Sequence, residues 1–267
     1  LKGRPVSGYS WIGYGANIAA LAHAAPLAGH FNPIADGDGV MRSLPLLAEY
    51  KGQYYESLAL AMFRYLVGSP RVTIGFSDEK WLSRSYQGLD RILLTQGKSA
   101  LAIPVDKHIA TLVPYRGPGG AKGGSFRYVS ASDVLGGRLP PGSLKDKIVL
   151  VGTTAPGLQD LRVTPVGEVY PGVESHASLI SGWLDAKVTL KPDYALGYDV
   201  FILLVAGLLL AIGLPLLSAL RAVVLSLGVL VLVTGLNTWL YVSYGLVMPL
   251  AAAVVMTLTA FALNMSY

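Results

Sequence analysis

From residue 200 to residue 265 the polar positions that punctuate the rest of the chain all but disappear. This pattern predicts three transmembrane helices, at about 200–220, 222–241 and 246–265, each near twenty residues. That is enough to cross roughly 30 Å of hydrocarbon at ~1.5 Å per residue. A buried helix of a soluble protein would show a polar stripe over such a length, and none of the three does. Arg221 is the single formal charge in this region. It falls in the predicted turn between the first two spans, and a basic residue beside a short loop favours the cytoplasmic side. Tyr194, Tyr198, Trp239, Tyr241 and Tyr244 gather on the opposite side, as rings at a membrane interface do. An odd number of spans then places residues 1–199 outside and whatever follows Tyr267 inside.

Before residue 200 the pattern is mixed. Residues 1–29, rich in Gly, Ala, Tyr and Pro, predict no firm element. Segments 30–35 and 40–47 flank Asp36-Gly37-Asp38-Gly39, which predicts a β-hairpin. Leu58, Ala61, Met62, Tyr65 and Leu66 share a face and predict a helix over 54–66, which Pro70 ends. A weaker helical pattern covers 78–95, interrupted by Gly88. Short strands follow at 100–103 and 110–115, then a glycine-rich loop from Arg116 to Gly124. Another short strand is predicted at 126–129 and a helical turn at 132–135. The continuous apolar run Ile148-Val149-Leu150-Val151 predicts a central strand over 147–151, buried on both faces. A helix over 173–186 carries Val173, Ala177, Ile180, Trp183 and Leu184 on one side. Strand, long loop and helix indicate an α/β layer. The fold class is therefore an α/β domain over 1–199, a mixed sheet with flanking helices, followed by an all-α membrane domain over 200–267.

Charge divides the chain in the same place. All 16 Asp and Glu and all but one of the 21 Lys and Arg precede residue 200, leaving that part at +4 against +5 for the whole. So small a surplus supports no nucleic-acid stripe. With no cysteine, disulfides, thiolate zinc sites and thiol catalysis are excluded. The chain opens on Leu1 without a charged-then-apolar signal segment and stops directly after an apolar run. An exported domain needs an upstream signal, so the chain is expected to be a piece of a longer protein with a further span before it.

The loop leaving the predicted central strand is the best place for chemistry, because ligands of α/β sheets bind beyond the carboxyl ends of strands. Thr153, Thr154, Asp160, Arg162 and Thr164 supply its polar side chains. It lacks the Gly-Lys-Ser/Thr ending of a phosphate-binding loop, and the Asp-Gly pairs at 36–39 lack the further acidic ligands of a calcium loop. Ser175 and His176 are adjacent on a helix and so point apart, with no nucleophile elbow around Ser175. Glu174 suits the positive end of the helix dipole. His23, His30, His108 and His176 share no zinc-site spacing. Arg116 in its glycine-rich loop could meet an anion. No catalytic residue and no metal ligand is assigned.

The run KDKIVLVGTTAPGLQDLRVTPVGEVYPGVESHASLISGWL, beginning at Lys145, resembles the C-terminal signature of CHASE2 extracellular sensor domains. DGDGVMRSLPLL, YYESLALAMF and LVPYRGPGG are similar to the middle of that family, and a sensor followed at once by three membrane helices is its usual arrangement. The resemblance implies a bacterial receptor of the inner (plasma) membrane, with its sensor outside the cell. Its output would be cytoplasmic, a class III adenylate cyclase making cAMP from ATP, or a histidine or Ser/Thr kinase. ATP with Mg or Mn would serve that output domain, and no cofactor is implied for these residues. Thr153, Thr154, Pro156, Asp160, Pro165, Pro171, Gly172 and His176 match the family signature. The ligand-binding candidates are thus Arg116, Thr153, Thr154, Asp160, Arg162 and His176. Expected partners are membrane lipids, an extracellular ligand or protein, and a second copy of the chain, with no nucleic acid. Gly207 and Ala211 have the small-residue spacing that admits close helix approach in such a homodimer. A transport component is the alternative of another class, though only Thr234, Asn237, Thr238, Thr257, Thr259 and a few serines are polar within the spans. A tail-anchored surface hydrolase is disfavoured by the missing nucleophile motif.

Overall fold

The computed structural model describes residues 8–25, 27–76, 89–154, 160–192 and 194–265. It falls into two compact units, Leu1–Val188 and Thr189–Tyr267, where hydropathy and charge divide the chain at 199/200.

In the first unit the elements run β1 (Tyr9–Ser10), α1 (Ala19–Ala24), β2 (Ser43–Pro45), β3 (Leu47–Tyr50), β4 (Gln53–Glu56), α2 (Leu58–Leu66) and β5 (Arg71–Phe76). They continue with β6 (Leu89–Gln96), β7 (Ser99–Pro104), β8 (Ala110–Leu112), α3 (Ala131–Leu135), β9 (Leu161–Thr164), β10 (Gly167–Pro171) and α4 (Gly172–Leu184). The strands form small sheets, ordered β1-β3-β4, β2-β8, β5-β6-β7 and β9-β10. Pairing is antiparallel except between β1 and β3, so parallel and antiparallel ladders are both present. Tight turns set the registers. Lys51 and Gly52 both take positive φ (50° and 79°), which brings Tyr50 opposite Gln53, as a two-residue hairpin loop requires.

The core of this unit lies where α2 meets α4. Ala59, Leu60 and Phe63 of α2 face Leu179, Ile180 and Trp183 of α4, joined by Ile92, Leu94 and Ile103 from the three-stranded sheet. The Phe63 and Trp183 rings meet edge to face with centroids 5.2 Å apart. Such pairs add to the burial of their area.

Several elements depart from the sequence pattern. The helix expected from residue 54 starts at Leu58, because the Lys51-Gly52 turn folds 53–56 back on β3. Ser57 then caps the helix by accepting from Leu60 N at 3.3 Å. In the second helical segment Leu89–Gln96 is a strand, with Leu89, Ile92 and Leu94 buried; the remainder, 78–88, lies outside the described residues. The Asp-Gly turn forms, with Asp36 N bonded to Val40 O (3.0 Å) and Gly39 N to Asp36 O (2.9 Å). Its arms do not form a hairpin, since β2 pairs with β8 and His30 bridges Ser57. The apolar run at 147–151 is not a strand. It arrives through turns in which Gly142 and Asp146 take φ of 77° and 56°, no described strand pairs with it, and Val151 is 90% exposed. Residues 126–129 likewise form no strand.

The second unit holds α5 (Ala195–Leu216), α6 (Ala219–Tyr244) and α7 (Ala251–Met265). The first two are long and apolar enough to cross a membrane; α7 has 15 residues, about 22 Å at ~1.5 Å per residue. It is shorter than the expected 246–265 for a physical reason. Gly245 ends α6 in a left-handed cap, Val247 N bonds to Leu190 O (2.9 Å), and Pro249 has no N–H for a helical ladder. The helices pack through Leu210, Leu214, Ala222, Val229, Val233 and Ala253. A Cβ on Gly207 would lie 3.3 Å from Met256 Sδ, so the missing side chain gives α7 room beside α5. Arg221 lies in the first turn of α6 rather than in the connecting turn. Trp183→Ala should lower stability by about 3–5 kcal/mol. Thermal unfolding followed by near-UV circular dichroism checks this, and an unchanged midpoint would contradict it.

Candidate functional site

Helix α4 organises the best-defined polar cluster. β10 runs directly into it, and buried Tyr170 shares a hydrogen bond with Ser178 Oγ at 3.2 Å, one side of its ring against Tyr115 at 5.1 Å. Glu174, in the first turn, is 3% exposed. Its Oε1 accepts from Gly120 N at 2.6 Å and from the Tyr128 hydroxyl. The glycine-rich segment therefore runs back along α4 from end to end. Arg116 donates to Ser181 O (3.2 Å) and pairs with Asp185 at the C-terminal end, while Gly120 meets Glu174 at the start. A Cβ on Gly119 would come within 2.7 Å of the Tyr170 ring, so only glycine lets the segment lie this close.

Burial governs the ionisation of this cluster. It raises the Tyr128 hydroxyl well above its ordinary range, with Glu174 adding to the effect, and pushes Tyr170 up to about 12. Burial lowers His176 to about 4, with a smaller contribution from the charge of His30, and lowers His30 to about 4 as well. Both imidazoles are thus neutral at neutral pH. His30 Nδ1, His30 Nε2 and His176 Nδ1 have no hydrogen-bond partner among the described residues.

The sequence candidates separate in space. Thr153 and Thr154 stand on exposed coil. Asp160 and Arg162 come together, with Arg162 Nη2 donating to Asp160 Oδ1 at 3.3 Å, and Asp160 O accepts from Gly172 N at 2.8 Å where α4 begins. Thr164 Oγ1 donates to Gly167 O at 3.0 Å and so closes the β9–β10 turn. Arg116 is occupied at the end of α4, and His176 is buried within that helix. Among the described residues no group of three or more His, Asp or Glu could hold a metal ion.

A second feature was not legible in the pattern. A cleft of about 450 Å³ lies between Trp11, the Asn32–Gly39 stretch and Arg162-Val163, with Met41 N bonded to Val163 O at 2.8 Å. Arg162 was already a candidate, but Trp11 comes from a segment without periodicity and the stretch from Asn32 to Met41 from the expected hairpin. A lone tryptophan among glycines at the start of the chain was the only available signal.

The histidine pair generates a pH prediction. An imidazole held near 4 in the folded chain and titrating at its ordinary 6.5 when unfolded binds more protons unfolded than folded between those values. The stability it contributes is present above pH 6.5 and is lost as pH falls toward 4. Thermal midpoints recorded across this window should fall with pH, and His176→Phe should flatten the slope. An equal slope in the variant would contradict the assignment.

No curated protein and no solved structure matches the chain. The family model described as the CHASE2 domain matches residues 6–214, well over half of the sequence. It covers the glycine-rich segment, the Asp160–Arg162 pair, α4 and nearly all of α5. CHASE2 is a sensor domain found in receptors, and a sensory role follows for a chain that, on this match, belongs to the CHASE2 domain family.

Proposed function

We propose that the chain is the sensing and membrane-transducing part of a bacterial receptor of the inner membrane. All three of its apolar helices cross the bilayer, residues 1–199 lie outside, and a stimulus received there reaches a cytoplasmic output domain. The observation that carries this reading is the CHASE2 match running through the sensor unit into α5, followed by a second helix long enough to span. The output we favour is a class III adenylate cyclase that makes cAMP from ATP with Mg or Mn, and a histidine or Ser/Thr kinase output would keep the same receptor. Two copies work together, as cyclase and kinase outputs commonly require, and membrane lipids surround the helices. The ligand-binding candidates Arg116, Thr153, Thr154, Asp160, Arg162 and His176 keep that status, with Asp160 and Arg162 favoured by their mutual contact.

Transmission requires two arrangements of comparable energy, one of which the stimulus stabilises. The polar groups within the apolar helices support transmission over transport. Thr234, Thr238 and Thr257 donate to the carbonyl four residues earlier in their own helix, and Asn237 donates to Val233 O and to the Tyr198 hydroxyl. Such bonds satisfy these groups locally, where a solute path would need them facing a polar cavity. Membranes from cells expressing the complete reading frame should form cAMP from ATP when Mg or Mn is added. Phosphotransfer to a His, Ser or Thr without cAMP would replace the cyclase by a kinase. Neither activity would overturn the receptor reading.

A further inference from the structure

Both ring nitrogens of His30 and Nδ1 of His176 are shielded from solvent and bond to nothing among the described residues. An imidazole carries a donor and an acceptor, and native chains rarely bury such groups unpaired without a reason. The two rings come from different elements, yet they lie close enough for the charge of His30 to bear on His176. His176 sits on α4 within the core and is 4% exposed. His30 sits on a strap, residues 27–32, tied to the start of α2 by two backbone bonds. His30 N donates to Glu56 O at 2.9 Å, and Leu58 N donates to His30 O at 2.8 Å.

The two attachments differ in what their release costs. α4 cannot leave without breaking the Phe63–Trp183 contact and the core around it. The strap can. Gly29 and His30 are half-buried, while 27–28 and 31–32 on either side are exposed, so lifting it uncovers little apolar surface. A Cβ on Gly29 would come within 2.6 Å of Leu58 N, so the closed strap lies directly on the helix start.

The charged and titratable groups on the surrounding elements are engaged elsewhere. Glu56, at the end of β4, pairs with Arg64 of α2 at 2.9 Å. Asp36 and Asp38, which follow the strap, hold Arg42, and Asp160, before α4, pairs with Arg162. Tyr115 donates to Met41 O at 2.9 Å, and Tyr170 shares a bond with Ser178. Glu174 takes Gly120 N and the Tyr128 hydroxyl on Oε1, and its Oε2 has no partner among the described residues. Residues two apart on a helix do not face each other, so Glu174 is turned away from His176. None of these carboxylates offsets the burial of either imidazole.

We propose that His30 and His176 form an acid-operated latch, in which protonation of the pair lifts the strap from the start of α2 while α4 stays packed. The latch deepens the sensory reading and rests on it for its consequence, that acidification outside the cell is the stimulus. Closed, the strap keeps both rings dry and neutral. Open, they meet water and take up protons, and two like charges cannot return to a dry site. An imidazole that titrates at 6.5 when open and about 4 when closed raises the open fraction about twentyfold between pH 7 and pH 5.

Hydrogen exchange of the 267-residue chain in detergent micelles, corrected for the intrinsic effect of pH, reads the latch at the His30 and Leu58 amides. Their opening should increase about twentyfold from pH 7 to pH 5. It should not respond to dilute urea, as local openings do not, whereas exchange in the β6–β7 ladder should. His30→Phe keeps a ring and removes the titration, so it should flatten the pH response. His176→Phe should do the same and serves if the first variant does not fold. His23→Gln, on exposed α1, should respond as the parent does. Equal urea dependence of latch and ladder amides, or an undiminished pH response in the folded His30 or His176 variant, would overturn the latch. The stimulus is read separately, as cAMP or phosphotransfer in cells expressing the complete reading frame while the medium is acidified. An output that changes in the parent and not in His30→Phe is expected, and an output indifferent to outside pH would overturn acidification as the stimulus. Absence of any output would count against the receptor reading and leave the exchange result standing.

Discussion

Helix α4 places Glu174, Ser175, His176 and Ser178 where water does not reach them, beside Leu179, Ile180 and Trp183. A buried apolar side chain needs only neighbours, whereas a buried polar one needs partners of the right kind, and supplying them constrains everything around the helix. Glu174 draws in Gly120 and Tyr128, Ser178 draws in Tyr170, and the glycine-rich segment is stretched along the helix to make these contacts. Arg116 secures the other end of that segment on Asp185. The histidines bear the opposite consequence of the same burial, since they stay folded in place by remaining uncharged.

This constraint explains which parts of the chain could be read in advance. The position of α4 followed from spacing alone, and so did the turn at Asp36–Gly39 and the strands around residues 99–104 and 110–112; its buried face did not, since Leu179 points inward while Leu184, read onto the apolar side, is exposed. The role of Glu174 did not. Its place near a helix start was sufficient grounds for a dipole explanation, and nothing local reveals that a segment some fifty residues away wraps over it. Leu89–Gln96 failed in another way, because Leu89, Ile92 and Leu93 fit a helical face as well as a strand until Ile92 and Leu94 are seen to point inward together. The run at 147–151 shows the limit of composition: apolar residues record a preference for dryness without naming a ladder partner. Thr153, Thr154, Asp160, Arg162 and Thr164 shared a loop in sequence, yet of these Asp160 and Arg162 are the pair whose side chains meet among the described residues, and the Trp11 cleft joins segments that no periodicity connects.

In the second unit the length of an apolar run and the length of a helix are separate quantities. Residues 246–250 are as apolar as those that follow, but the Gly245 cap, the pairing with Leu190 and Pro249 keep them out of α7. Asn237 reaches the Tyr198 hydroxyl at 3.1 Å, which brings the start of α5 beside the end of α6 and gathers the aromatic residues at one end of the helix pair. The hydroxyls of Thr234, Thr238 and Thr257 bond to the backbone of their own helices, while Ser226 Oγ is buried without a partner among the described residues.

The central claim is that a sensory unit outside the cell is carried on helices that cross the membrane, and side-chain accessibility tests it most directly. The chain has no cysteine, so Lys122→Cys would place a single thiol at an exposed position of the glycine-rich segment. In intact spheroplasts a membrane-impermeant maleimide should label this cysteine without lysis. Labelling that appears only after the membrane is broken would place the unit inside the cell and contradict the account.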